Sequence, residues 1–351
     1  MKRFIKGVFI ALLMPSLLVA GNPDRQGESG AGELLFNPWA RSSGLHGLNV
    51  SSVMGVEAMN LNIAGLSRVL KGEIVLSNNR IFEGTGLQMN AGGYASKMGE
   101  NGTLGISISS LQFGDIEITT VDQPEGTGGT FSPNFFNIAL GYSYMYANKI
   151  SVGLLVRGIT ESMPDLTAFG FSVDAGVQYV SGEKDNFRLG IALRNIGSPM
   201  KFGGQGLAFQ GPNIDPSVGG SEYNLTYYQR AEGFQLPSLL NIGLSYDFYV
   251  GQKDFLRVLG NFTSNTFARD EIGGGLEFSF RNILMLRAAY KHTLTQDGSA
   301  FKNDVYTGFA AGGSVLLPIA KGSDQKVGID YAYRATNPFK GTHNLSLRFE
   351  F

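Results

Sequence analysis

Period-two alternation runs along most of this chain from residue 72 onward. At the C-terminal end Leu345, Leu347, Phe349 and Phe351 alternate with Asn344, Ser346, Arg348 and Glu350. Such spacing puts the apolar side chains on one face of a strand and the polar ones on the other. Phe136, Ile138, Leu140, Tyr142, Tyr144 and Tyr146 form another stripe. Phe187, Leu189, Ile191 and Leu193 oppose Arg188, Gly190, Ala192 and Arg194; Val327, Ile329, Tyr331 and Tyr333 oppose Gly328, Asp330, Ala332 and Arg334. Segments of this kind, bounded by turn residues, predict about 14 strands. They fall near 72–82, 87–98, 102–114, 135–146, 149–162, 168–181, 187–197, 238–250, 254–264, 269–281, 283–293, 304–318, 325–335 and 341–351.

The connections alternate as well. With the C-terminus on the periplasmic side, short turns fall on that side near 99–101, 147–148, 182–186, 251–253, 281–282 and 320–324. The opposite side carries longer loops, at 115–134, 198–237 and 294–303. A soluble sandwich has no reason to segregate loop lengths by parity, whereas a transmembrane barrel does. Strands running toward the short side also finish in outward aromatics, at Tyr144/Tyr146, Tyr179, Tyr246/Phe248, Phe278/Phe280 and Phe349/Phe351. An amphipathic ring is favoured at headgroup level. The strand ending Leu316-Leu317-Pro318 departs from that pattern. The expected fold is all-β: a transmembrane outer-membrane β-barrel of about 14 antiparallel strands. Leu345, Leu347, Phe349 and Phe351 are expected to serve as its assembly signal, read by the barrel-assembly machinery.

Composition fits a barrel surrounded by outer-membrane lipid. Charged residues make up 16% and aromatics 11%, with 49 glycines and a net charge of −1. Nothing in that balance suggests nucleic acid. Lys2, Arg3 and Lys6 precede an apolar run from Gly7 to Ala20, which reads as a secretory signal peptide over residues 1–21. After it no run of about 18 apolar residues predicts a helical span. Residues 71–351 form the expected barrel and 22–70 a separate segment. There Val53, Val56, Met59, Ile63 and Leu66 recur at three- and four-residue steps, so a short helix is expected. With no slot left in the wall, that segment should pack inside the lumen as a hatch, where its apolar side chains leave water.

Catalytic chemistry has little to build on. The chain has no cysteine and three histidines, His46, His292 and His343, so no nucleophile set, metal site or cofactor is expected. His292 and His343 read as polar wall or rim residues. Gly273-Gly274-Gly275 lacks the setting of a phosphate cradle and suggests a kink or a close approach of the hatch. Two features could carry function. Loop 198–237 holds Phe202, Leu207, Phe209, Tyr223, Tyr227, Tyr228 and Phe234, either as a fold-over lid or as a contact surface for another protein. Phe209, Tyr227, Tyr228 and Phe234 are the candidate anchors. Arg157, Asp174, Arg188, Arg194, Asp330, Arg334, Arg348 and Glu350 occupy inward registers, as a wall-stiffening ion network or as the lining of a solute path.

The stretch Asn37-Pro38-Trp39-Ala40-Arg41-Ser42-Ser43-Gly44-Leu45-His46-Gly47 resembles the opening of the PorV/PorQ family of outer-membrane proteins. Residues 192–197, 270–290 and 328–343 are similar to that family too. Where the family has Asn-Pro-Ala, this chain reads Asn62-Ile63-Ala64, so the turn there should be shaped differently. The resemblance implies a FadL-like barrel with an N-terminal hatch that includes Asn37, Pro38, Trp39, Arg41 and Asn62. It also implies a non-enzymatic binding and scaffolding role in type IX secretion, with translocon subunits or the C-terminal domains of secreted cargo as partners. The alternative reading is a FadL-like transporter, whose hydrophobic ligand would follow an apolar path past Val53, Met54, Met59 and Ile63.

Overall fold

A computed structural model describes residues 23–212, 224–251, 254–294, 305–320 and 323–351. The expected signal peptide, Tyr223 and most of loop 294–303 lie outside the described residues. The alternating segments form 14 antiparallel strands. These are β1 (Gly72–Arg80), β2 (Gln88–Met98), β3 (Gly102–Gln112), β4 (Asn134–Tyr146), β5 (Ile150–Met163), β6 (Leu166–Ser181) and β7 (Phe187–Gly197). They continue as β8 (Leu239–Tyr249), β9 (Phe255–Asn265), β10 (Glu271–Phe280), β11 (Leu284–Thr293), β12 (Tyr306–Pro318), β13 (Lys326–Thr336) and β14 (Thr342–Glu350). Each strand pairs with its neighbours in sequence, and β1 pairs with β14 from Glu73 opposite Glu350 to Arg80 opposite His343. The sheet therefore closes on itself and leaves no edge strand.

Register follows the alternation. In β4 Phe136, Ile138, Leu140, Tyr142 and Tyr144 are exposed on the outer face, and Asn137, Ala139 and Ser143 are buried inside. The aromatic ends also point outward: Tyr146, Tyr179, Phe248, Phe280 and Phe349 all stand exposed near the short-turn end. Two ladders shift register, one between Val173 and Ala175 on β6 and one between Tyr306 and Ala310 on β12.

Residues 23–69 fill the lumen. They form single turns, Pro23–Arg25, Gly32–Leu35, α1 (Ala40–Ser43), Gly55–Glu57, α2 (Ala58–Leu61) and Ile63–Arg68. The single short helix expected over Val53–Leu66 is thus broken into three turns. Gly55, at a positive φ of 72°, keeps Val53 and Met54 out of the first turn, and Asn62, extended at φ −153°, separates the last two turns. Asn62 also resolves the missing proline. Its side chain accepts from the Ala64 amide at 3.2 Å, which starts the last turn without one. No described helix is long and apolar enough to cross a membrane.

Candidate functional site: a hatch-plugged lumen

The hatch is clasped to the seam where the barrel closes. The Pro38 carbonyl accepts from Ser77 Oγ on β1 at 2.6 Å and from Asn344 Nδ2 on β14 at 2.8 Å. The Ala40 amide donates to Ser346 Oγ at 3.0 Å. Asn37 Oδ1 accepts the Trp39 amide at 3.0 Å, which turns the chain so that the Trp39 ring is buried. The polar positions of the last strand therefore hold the opening motif of the hatch. The sequence pattern placed those residues inside the barrel but did not show what they meet.

Beyond the clasp, the hatch beds on β2–β7 through small residues. Trp39, Val53, Val56, Met59, Ile63 and Leu66 form one buried apolar cluster with Val75, Ala91, Ala95, Ala139 and Leu155 of the wall. A Cβ at Gly176 would lie 2.1 Å from Asn62 Oδ1, and one at Gly190 would lie 2.5 Å from the Val50 carbonyl. Asn62 Nδ2 donates to Val50 and Val177 carbonyls, both at 3.1 Å, and so ties this turn to the wall. The close approach expected at Gly273 is present as well, where a Cβ would lie 2.6 Å from Leu48. Gly176→Val is expected to push the hatch off its bed at a cost of about 2–3 kcal/mol, because the Asn62 side chain it would strike is held by three hydrogen bonds. The chain's one tryptophan, Trp39, reports this directly. Its emission should shift to the red, and unshifted emission would refute the close fit.

These contacts correct one expectation. Val53, Met59 and Ile63 are 2% exposed and packed against the wall, so in this state they line no apolar path. Met54 instead borders a cavity of about 300 Å³ at the short-turn end, together with Arg41, Arg68, Glu73 and Glu350.

The other half of the lumen is ionic. Arg188, Asp247, Arg257, Glu277 and Arg287 form a continuous chain of ion pairs from β7 to β11. Arg257 Nη1 reaches Glu277 Oε1 at 2.8 Å, and Arg257 Nε reaches Asp247 Oδ1 at 2.6 Å. Register makes this chain. Asp247 stands directly opposite Arg257, Arg257 opposite Glu277, and Glu277 opposite Arg287. Ser314 links Arg287 to Asp330, which holds Arg348 at 2.7 Å. Arg157 pairs with Asp174 at 3.0 Å on the hatch-bearing side. Asp247, Arg257, Glu277 and Arg287 were not singled out from the sequence, although each sits at an inward position of its strand.

At the long-loop end, the turn Gly32–Leu35 carries a buried carboxyl. Glu33 is 3% exposed and lies beside the carboxyl of Glu161. Burial first, and then Glu161 of β5, push its pKa up to about 8; Arg157 offsets this in part. The sign follows from linkage. An undocked Glu33 ionises above its ordinary value of 4.5, whereas the docked one keeps its proton to about 8. Docking of this segment is therefore fully favoured below about pH 4.5 and weakens as pH rises to about 8. Tryptic cleavage after Arg25 should increase over that window relative to Glu33→Gln, which cannot ionise. Equal profiles for the two proteins would refute the assignment.

The loop aromatics divide. Ala208–Pro212 pairs with Asn224–Tyr228 as a hairpin, with Phe209 stacked on Tyr227 at 5.5 Å. Phe209 and Tyr228 are 48% and 65% exposed. Phe234 instead turns inward. It packs on Phe202 at 5.6 Å, against a cluster of Ala31, Leu34, Ile159, Ala168, Met200 and Leu236. Gln235 bridges Ser29, so this part of the loop folds over the N-terminal segment.

Of the histidines, His343 hydrogen-bonds Tyr331 at the rim and His292 is exposed on the wall. His46 is buried in the hatch, edge-on to Tyr306 at 5.6 Å. Burial, then Lys291 and Arg334, hold its pKa well below the ordinary value. Among the described residues no group of acidic and histidine side chains could hold a metal.

The architecture is that of the FadL-like outer-membrane barrels. The solved toluene transporter TodX of P. putida superposes with a TM-score of 0.54 at 13% identity, covering 89% of this chain and 98% of that one. The toluene transporter TbuX of Ralstonia pickettii gives 0.53 at 13%, over 90% and 97%. A Pseudomonas aeruginosa FadL homologue gives 0.51 at 10%, over 89% and 98%. No family model and no curated protein sequence matches the chain. An outer-membrane location and a FadL-like barrel are thereby supported, whereas the PorV/PorQ resemblance draws no support from these comparisons.

Proposed function

We propose that this protein is a hatch-gated outer-membrane channel for small hydrophobic molecules. The observation that carries this reading is the likeness in fold to hydrocarbon and FadL-type channels over nearly the full length of both chains. The hatch fills the lumen in the state described, so passage requires it to move. Its bed suits such a movement: apolar side chains lie on small wall residues, and the seam clasp consists of a few neutral hydrogen bonds. Neutral bonds of this kind contribute only about 0.5–1.5 kcal/mol each. A lateral exit into the membrane would form most readily at one of the two register shifts in the wall.

A disulfide tests the gate. Ser51 Oγ of the hatch lies 3.1 Å from Ser245 Oγ of β8, and the chain has no cysteine to compete. The double variant Ser51→Cys, Ser245→Cys should cross-link with little movement. Uptake of toluene by cells expressing the protein should stop on oxidation and return on reduction. Uptake no faster than in cells without the protein would refute the channel. Uptake indifferent to oxidation would refute hatch movement as its gate.

A second reading, a binding role in type IX secretion, is favoured by one observation. The hairpin bearing Phe209, Tyr227 and Tyr228 leaves two of its three rings well exposed. Exposed aromatics on a rigid mount suit capture of a partner. Deleting 205–229 should then abolish co-purification of translocon subunits or cargo from the native membrane. Unchanged co-purification would exclude the hairpin as the binding element.

A further inference from the structure

A second cavity, of about 200 Å³, lies at the long-loop end between the hatch and β7–β13. Hatch residues Asn37, His46 and Asn60 line it on one side, and Arg194, Asn241 and Arg334 of the wall on the other. Arg194 and Arg334 are 6% and 5% exposed, and neither is paired with a carboxylate among the described residues. Arg194 Nη2 donates to the Leu34 carbonyl at 3.3 Å, and Arg334 lies over the Tyr306 ring at 4.7 Å. The cavity's Glu271 is engaged with Lys291 at 2.9 Å.

With one exception, His46 Nε2, which donates or accepts according to its tautomer, the unmet polar atoms of these residues are of one kind. Arg194 Nε, Arg334 Nε and Nη2, Asn37 Nδ2 and Asn241 Nδ2 are all buried donors with no acceptor. The acceptor ends of both asparagines are already used, Asn37 Oδ1 by the Trp39 amide and Asn241 Oδ1 by Thr263 Oγ1. A buried donor left unmet costs about 1–3 kcal/mol, and more when it is charged. Water alone, which both donates and accepts, would suit a mixed lining. A lining whose unmet atoms are donors suits a species that only accepts.

We propose that this cavity binds a small hydrophilic oxyanion through Arg194, Arg334, Asn37 and Asn241. The group is either inorganic, of the sulfate or phosphate type, or the carboxylate of a compact organic acid. Leu48 and Leu61 beside it are buried and packed, so there is no slot for a long apolar tail. Because Asn37 belongs to the hatch and the other three to the wall, a bound anion would fasten one to the other. The site stands whether or not hydrophobic solutes cross the barrel.

The test uses the full mature chain folded in detergent, titrated with sodium sulfate and separately with sodium acetate at constant ionic strength. Unfolding is followed by Trp39 emission. The expected result is a saturable rise in the unfolding midpoint of about 3–6 °C for at least one anion. A response to sulfate alone marks an inorganic ligand, and a response to acetate marks a carboxylate. Arg334→Gln should abolish the response. Asn241→Asp supplies a fixed carboxylate while retaining the bond from Thr263. It should fold with a raised midpoint that no longer responds, which keeps the test decisive if Arg334→Gln fails to fold. No saturable response in the parent chain, or an undiminished one in Asn241→Asp, would overturn the proposal.

Discussion

Glu277→Ala is expected to destabilise the barrel by about 3–5 kcal/mol, the usual cost of removing one partner from a buried ionic network. The carboxylate lies between Arg257 and Arg287, with Glu277 2% and both arginines 4% exposed. Alanine would leave two guanidinium groups facing each other across β10, Arg287 with no carboxylate and Arg257 with Asp247 alone. Replacing the charges together should cost much less, because a buried pair exchanged for apolar groups is often near neutral. Glu277→Leu combined with Arg257→Met and Arg287→Met is therefore expected to recover most of the loss. Urea unfolding in phospholipid vesicles measures both proteins. A loss below about 1 kcal/mol for the single variant would mean that the belt is wet and screened rather than structural.

Deleting residues 22–70 while keeping residues 1–21 is expected to convert a plugged barrel into an open pore. The 14 strands pair with one another, so the wall does not need the hatch to complete its ladders. A barrel of this size lies between those filled by their own side chains and those that enclose an aqueous channel. With the hatch gone, the ionic half of the lumen would face water, and single-channel conductance should rise by at least roughly tenfold. The parent chain should conduct little, since the hatch packs against both the seam and β2–β7. Equal conductance with and without the segment would place the seal in the loops instead. Phe234 and Gln235, folded over the N-terminal segment, would then be the first residues to alter.

Which residues face lipid and which face the lumen was determined by the sequence itself. The strand period is local, and each residue's face follows from its neighbours two positions away. Strand number, loop parity, the aromatic ends, and the inward placement of Arg157, Asp174, Arg194, Asp330 and Arg348 all follow from that one rule. The closeness at Gly273 was legible for a related reason, since a run of glycines in a strand marks a near backbone.

Only the tertiary structure decided what those inward groups meet. The belt from Arg188 to Arg287 depends on register between strands, and register is set by turns and pairing rather than by alternation within one strand. The hatch has no single period, because Gly55 and Asn62 break it into turns shaped by the wall they touch. Phe234 looked like its loop neighbours in the sequence, yet it packs inward because the N-terminal segment passes beneath it. The donor-lined cavity arises where residues more than 150 positions apart are brought together by barrel closure, with Asn37 on one side and Arg194, Asn241 and Arg334 on the other. Alternation reports the side of the sheet on which a residue stands; only closure and hatch docking determine its partner.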